Sequence, residues 1–357
     1  MPGLFRLNNT PKSQYKKGAR RIMCDAIREN KMPVISRMKT NVSDIIAEFT
    51  CAIKAAGIVV NQPLRFDGHL HRLPVLGDRQ GAKSGAYKLH LDKMPVGYIK
   101  NWKTDYEATW RPECVPPLSA TDRQQANREI RARAIRDEQV REDRQKQAAT
   151  EAQALIASSL PATSHPYLAI KGVCAHGLFL FDNSDLLLPL QTVDGTIWNC
   201  QRISFDAANQ SNQKTYMRGA LAKATFHPIG LLDTDEPLII VEGYATGASI
   251  HEATQFPVVV ACHSGNLLPV TLALREKYSS RLLLIAGDND HHLPRRKIPL
   301  QNIGIVKAEE AAAASNAITI FPDFDSSSEG TDWNDYCQIH GGQTLQRLFA
   351  QKVTAAI

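Results

Sequence analysis

Apolar residues follow different rhythms along this chain, and each rhythm marks a region. In NVSDIIAEFTCAIKAAGI, beginning at Asn41, they recur every three to four positions, which predicts an amphipathic helix. From Leu64 to Thr104, short alternating runs are broken by Asp67-Gly68, Gly77-Asp78, Ser84-Gly85 and Pro95, the punctuation of tight β-hairpins. Between about 119 and 157 the apolar stripe thins into an Ala-, Arg-, Gln- and Glu-rich run without Gly or Pro. That composition predicts a long solvated helix bounded by Pro116-Pro117 and Pro161. Beyond it come the strand-like runs LLLPLQ, TIWNCQRISF, PLIIVEG, PVVVAC, RLLLIAGD and AITIFP. The later ones alternate with the helix patterns ATGASIHEAT, LLPVTLALREKY and GIVKAEEAAAAS. Apolar strands alternating with helices predict a parallel sheet covered on both faces.

The expected organisation is a basic N-terminal arm (1–40), a small β-rich domain (41–113), a helical linker (114–160), a basic mixed α/β subdomain (161–236), a parallel α/β domain (237–345) and a C-terminal tail (346–357). Composition narrows the class. With 43% hydrophobic and 22% charged residues the chain reads as globular. No apolar run approaches the roughly 20 residues that span a bilayer. The basic start lacks the apolar core of a secretory signal, so the expectation is a cytoplasmic protein with no membrane partner. The formal charge is +6, concentrated at Lys16, Lys17, Arg20 and Arg21 and again at Arg202, Lys214, Arg218 and Lys223. Such patches suit a polyanion. The seven cysteines form no CxxC pair and stand beside no histidine at ligand spacing, so neither a zinc site nor a disulfide framework is expected.

Candidate chemistry lies in three acidic motifs. PLIIVEGYATGASI runs from an apolar strand through Glu242 and Gly243 into a helix, and strand carboxyl ends are where parallel sheets bind ligands. RLLLIAGDNDHH ends a second strand at Asp288 and Asp290, two residues apart and so able to face one side and share a hard cation. GTDWNDY adds Asp332 and Asp335 after a third strand.

The order strand–Glu–Gly–helix, strand–DxD, late acidic loop resembles the Toprim fold of topoisomerases, bacterial-type primases and some nucleases. VEGYATGASI resembles the primase form most closely. The resemblance covers about 67–340. It implies a Toprim parallel sheet with flanking helices for 237–345, and for 161–236 a basic primase-like subdomain carrying Asp194-Gly195, Arg202, Lys214, Lys223 and Phe226 to Gly230. Both lie behind a small β-hairpin-rich domain joined by the long helix. SHPYLAIKGVCAHGLFL resembles the opening of the catalytic half in plasmid and phage primases, with His165 and His176 read as packing or capping residues. Residues 67–104 resemble the preceding domain of conjugative-plasmid primases, in effect a degenerate zinc ribbon without zinc. There His71, Arg72, Lys83, Lys88, Tyr87, Tyr98, Trp102 and Lys103 are candidate template contacts, although aromatics in a small β domain also serve as core.

The resemblance implies a primase that makes short RNA primers on single-stranded DNA during plasmid or phage replication or conjugative transfer. Glu242, Asp288 and Asp290 would be catalytic. Mg²⁺ or Mn²⁺ would be held by those three and by Asp332 and Asp335, with Glu242 either a general base or a metal ligand. Arg202, Lys214, Arg218 and Lys223 would hold template and ribonucleoside triphosphates. Arg202 and Lys214 are both expected on the wall facing the acids. A replicative helicase or relaxase is a further partner. The alternatives are a Toprim nuclease and a non-catalytic single-strand-binding replication partner. The chain holds no GxxxxGK[ST] phosphate loop.

Overall fold

Asn41 opens the first helix. Its side chain accepts from the Ser43 N–H while Asp44 reaches back to the Asn41 N–H, a capping box that starts α1 (Val42–Ala55). This computed structural model describes residues 41–356, apart from 93, 105, 114–118, 183, 207, 210, 296–299 and 326. The expected basic arm at 1–40 lies outside the described residues.

The chain divides into two compact units, one ending at Asn127 and the other beginning at Arg128. In the first, β1 (His71–Leu73), β2 (Gly85–His90), β3 (Val96–Asn101) and β4 (Tyr106–Trp110) form an antiparallel sheet in sequence order. Phe49 and Ile53 of α1 pack onto Leu73, Tyr87, Leu89 and Ile99 of that sheet. The approach is close: a Cβ at Gly97 would stand 2.2 Å from the Phe49 ring, so the helix sits on bare backbone there.

The unit boundary falls inside α2 (Ala120–Ala157), the long helix predicted from composition. Its later part meets a core: Ala152 and Ile156 pack on Leu187 and Cys200. They meet the second sheet, antiparallel in the order β5 (Leu160–Pro161), β6 (Phe179–Phe181), β7 (Asp185–Gln191), β8 (Ile197–Asp206) and β9 (Ser211–Tyr216). A short helix, α3 (Pro166–Lys171), precedes β6. His165 caps it by accepting from the Tyr167 N–H.

The third sheet runs in the order β10 (His227–Ile229), β12 (Val258–Val260), β11 (Leu238–Val241), β13 (Leu283–Ala286) and β14 (Ile318–Ile320). It is parallel except for β10. Alternation along the strands separates its two cores. Ile239, Val241, Val258, Val260 and Leu284 face α4 (Tyr244–Thr254), α7 (Trp333–His340) and α8 (Gly342–Ala356). Leu238, Ile240, Val259, Leu283 and Ile285 face α5 (Ser264–Lys277) and α6 (Ile303–Ser315).

The tail expected at 346–357 is instead most of α8. Leu345 and Phe349 stand four positions apart on one helix face and are fully buried in the core with Trp333. Phe349→Ala is therefore expected to cost about 3–5 kcal/mol in chemical denaturation, the range for emptying a buried aromatic site. A loss below about 1 kcal/mol would show that the last helix is not part of this core.

Candidate active site at the strand carboxyl ends

β11 delivers Glu242 at its carboxyl end. Gly243 is the N-cap of α4, and Gly247 lets that helix settle, since a Cβ there would lie 3.0–3.2 Å from valines of β11 and β12. β13 ends at Ala286, and the chain turns through Gly287, Asp288, Asn289 and Asp290. The Asn289 N–H donates to the Thr331 carbonyl at 2.7 Å, and its Nδ2 donates to Pro322 O at 2.9 Å. Asp332 caps α7 by accepting from the Asp335 N–H at 2.9 Å, while Asp335 accepts from the Thr331 N–H at 3.0 Å. The strand pattern and the caps thus gather carboxylates from three separate motifs.

Their electrostatics follow from crowding. Burial, then the Asp290 charge, pushes the Glu242 carboxyl up to about 7. The Ser264 N–H at the start of α5 and the Lys214 ammonium oppose that rise. Asp288 is pushed well above the carboxylate range by burial and then by Glu242, Asp332, Asp290 and Asp335. Asp332 is raised as well, chiefly by burial, with the Asp335 N–H opposing. Asp288 Oδ1 is buried and has no hydrogen-bond partner. Hard carboxylate oxygens, mutual repulsion and an orphaned Oδ1 fit a divalent cation such as Mg²⁺, which keeps several waters and takes its remaining oxygens from substrate. Among the described residues no three His, Cys, Asp or Glu side chains converge as a preformed cage.

Lys214 forms part of the opposite wall. Solvent reaches it, yet protein surrounds it closely enough to lower its pKa, while Cys262, Asp332 and Glu242 act the other way. Its Nζ lies 5.7 Å from the centre of the Tyr167 ring. Tyr216, two positions on and so on the same face of β9, accepts from Gln201 Nε2 at 2.8 Å and donates to Cys262 O at 3.3 Å.

Arg202 is not on that wall, contrary to expectation. In the β8–β9 register Lys214 pairs with Ile203, and Arg202 with Thr215, so alternation turns Arg202 to the other face. There it pairs with the buried Asp185 carboxylate and lies 5.4 Å from the Phe181 ring centre. Arg218 borders a groove against α2 with Asp143, Arg144 and Glu151. Lys223 is exposed, and Ala224 beside it donates its N–H to Asn266 Oδ1 at 2.8 Å.

Sequence reasoning missed Lys171, whose Nζ lies 3.7 Å from Asp335 Oδ1 and whose charge acts on Asp332. Its backbone is bolted in place, because the buried Asn334 Nδ2 donates to Lys171 O at 2.7 Å. The signal was present in SHPYLAIKGVCAHGLFL, where only the histidines were weighed. The other of those, His176, hydrogen-bonds through Nε2 to Glu252 Oε1 at 2.8 Å.

The first unit holds a second group of candidates. Arg65, His71, Arg72, Lys83 and Tyr87 line a cavity of about 590 Å³. The Arg72 guanidinium donates to Lys83 O at 3.0 and 2.8 Å and lies 3.9 Å over the half-exposed Trp102 ring. Other members are already engaged. Lys103 bonds Gly77 O and Asp78, His71 pairs with Asp67 at 2.7 Å, and Tyr87 is core with its hydroxyl accepting from the Arg65 N–H. Lys88 lies opposite Tyr98 in the β2–β3 register.

A raised carboxyl holds a proton that the unfolded chain releases, so the metal-free folded state loses stability as pH rises from the ordinary carboxylate range through about 7. In EDTA at pH 8, Glu242→Gln should therefore be more stable than the unsubstituted protein, by on the order of 1–3 kcal/mol, and the gain should shrink towards pH 5. Equal denaturation midpoints at pH 8 would show that Glu242 is not held against its neighbours' charge.

A protein family described as the Toprim domain matches residues 237–343. Two Escherichia coli proteins, each named DNA primase TraC, are 35% and 32% identical to this chain over 290 residues, or 78% of it. The chain spans only 26% and 19% of their lengths. Among solved structures, the Aquifex aeolicus primase with its zinc-binding and RNA polymerase domains is 11% identical, with a TM-score of 0.39 over 88% of this chain and 83% of that one. Among the described residues, no helix is long and apolar enough to cross a membrane. Residues 237–343 thus match the Toprim domain, and most of the chain is similar in sequence to part of the proteins named DNA primase TraC.

Proposed function

We propose that this chain is a DNA primase, which binds single-stranded DNA and condenses ribonucleoside triphosphates into short RNA primers. The observation that carries this reading is the crowded set Glu242, Asp288, Asp290 and Asp332 facing the Lys214 ammonium, on a chain related to TraC primases. In the reaction a 3′-hydroxyl oxygen bonds to the α-phosphorus of the incoming triphosphate, pyrophosphate leaves, and the hydroxyl proton must be taken up.

Asp288 and Asp290 would hold the divalent cation, Mg²⁺ or Mn²⁺, with Asp332 and Asp335 at the margin. When bound, that cation neutralises phosphate charge and lowers the pKa of the attacking hydroxyl. Glu242, beside these carboxylates, would either take up the hydroxyl proton or complete the metal's ligands. Lys214 would neutralise template or triphosphate across the cleft, while Lys171 pairs with Asp335. In the first unit, the cations of the Arg65–Arg72–Lys83 cavity and the Trp102 ring suit phosphates and an unstacked base. A cytoplasmic place of action during plasmid-type replication or transfer, beside a helicase or relaxase, belongs to the same reading. A nuclease and a non-catalytic binding partner are the weaker readings. A nuclease would not account for the relationship to TraC primases, and a binding module has no use for carboxylates where phosphates approach.

Incubation with labelled ribonucleotides and a single-stranded DNA circle should yield short RNA only when Mg²⁺ or Mn²⁺ is added. Asp288→Asn and Asp290→Asn should each abolish synthesis with single-strand affinity retained. Undiminished synthesis by both would sink the assignment.

The two basic residues on opposite sheet faces should separate in a salt titration. Lys214→Ala should shallow the slope of log affinity against log salt by about 0.7, the value for one single-strand phosphate. Arg202→Ala should leave that slope unchanged and instead cost roughly 1–3 kcal/mol of stability, since Asp185 is left buried and unpaired. A shallower slope in the Arg202 variant would return that residue to the template path.

A further inference from the structure

The DxD turn is held by a residue that carries no charge. Asn302 lies 12 positions beyond Asp290 and caps α6, where its Oδ1 accepts from the Ile305 N–H at 3.3 Å. That bond alone would be an ordinary helix cap, which Ser, Thr or Asp could also supply. The same side chain does more. Its Oδ1 also accepts from the Asp290 N–H at 3.1 Å, and its Nδ2 donates to Asn289 Oδ1 at 2.9 Å.

Other groups close around the same turn. Gly304, in the first turn of α6, is so near that a Cβ would stand 2.4 Å from the Asp288 carbonyl oxygen. Pro322 O and Thr331 O hold Asn289 from the far side, and His291 Nε2 lies 3.0 Å from Gly330 O. With these contacts Asn302 is the piece that ties both Asn289 and Asp290 to a rigid helix end. Its amide supplies an acceptor and a donor on two separate atoms, whereas a carboxylate has no donor and a serine hydroxyl offers both on one atom of shorter reach. Being neutral, it adds no further charge beside carboxylates that already repel one another.

We infer that Asn302 is the positioning residue of the acidic turn: by fixing the Asp290 backbone and the Asn289 side chain, it presents the Asp288 and Asp290 carboxylates to a divalent cation. The inference rests on the reading that these carboxylates hold a metal. Groups that orient metal ligands from behind are commonly worth 10–100-fold in metal affinity.

The test is titration of the metal-free full chain with Mn²⁺, read by electron paramagnetic resonance without DNA or nucleotide and paired with thermal melting in EDTA. Asn302→Ala removes the cap and the turn contacts together. Asn302→Ser restores a cap on Ile305 but is too short to span Asp290 and Asn289, and it decides the matter if the alanine variant does not fold. The serine variant should melt close to the unsubstituted protein yet bind Mn²⁺ at least about tenfold more weakly. Serine-variant affinity equal to that of the unsubstituted protein would reduce Asn302 to a helix cap and overturn the inference. Failure of the unsubstituted protein itself to bind Mn²⁺ would overturn the metal reading beneath it, a result distinct from the first.

Discussion

Repulsion among half-buried carboxylates is the constraint on which this molecule turns. Four acids from three sequence motifs meet where the parallel strands end, and two of them are held well above their ordinary protonation range by burial and by each other. Nothing in folding favours such a gathering, because every charge there would be better solvated outside. The surrounding structure has to impose it. The strands of β11 and β13 are fully buried on both faces and cannot shift, and caps and glycines then aim the turns that follow. What relieves the repulsion must be positive, and the Lys214 and Lys171 ammoniums do so only in part.

The antiparallel sheet preceding these strands contributes through alternation. Ile203 faces the core shared with the parallel sheet, whereas Leu187 and Cys200 face α2. A basic residue on this sheet therefore serves the acidic site or the α2 side according to its parity. Lys214 and Tyr216 fall on the first face and Arg202 on the second. Arg202 is consumed by Asp185, a buried charge that needs a partner wherever the site lies.

Much of this was legible in the chain because it depends on local pattern. The strand–Glu–Gly–helix run and the DxD at the end of β13 carry their meaning in a few adjacent residues, and the helices between them keep their period. The composition of 119–157 fixed a long helix for the same reason. What could not be read were consequences of register and of distant pairing. Which face receives Arg202 depends on the β8–β9 register, which the sequence does not number. Asn302 reads as a helix cap and nothing more until the fold returns it to Asp290. Lys171 meets Asp335 across 164 positions of chain, and no spacing rule reaches that far. Phe349 was the avoidable omission, since Leu345 and Phe349 already stand at helical spacing.

The central claim is that the crowding which raises the Glu242 and Asp288 carboxyls is what a divalent cation relieves. Calorimetric titration of metal-free protein with Mn²⁺ at pH 7, repeated in buffers of different ionisation enthalpy, measures proton release on binding directly. Raised Glu242 and Asp288 carboxyls predict that protons are released when the cation binds. Binding heats that do not vary with the buffer would mean that no proton leaves, and would contradict the account.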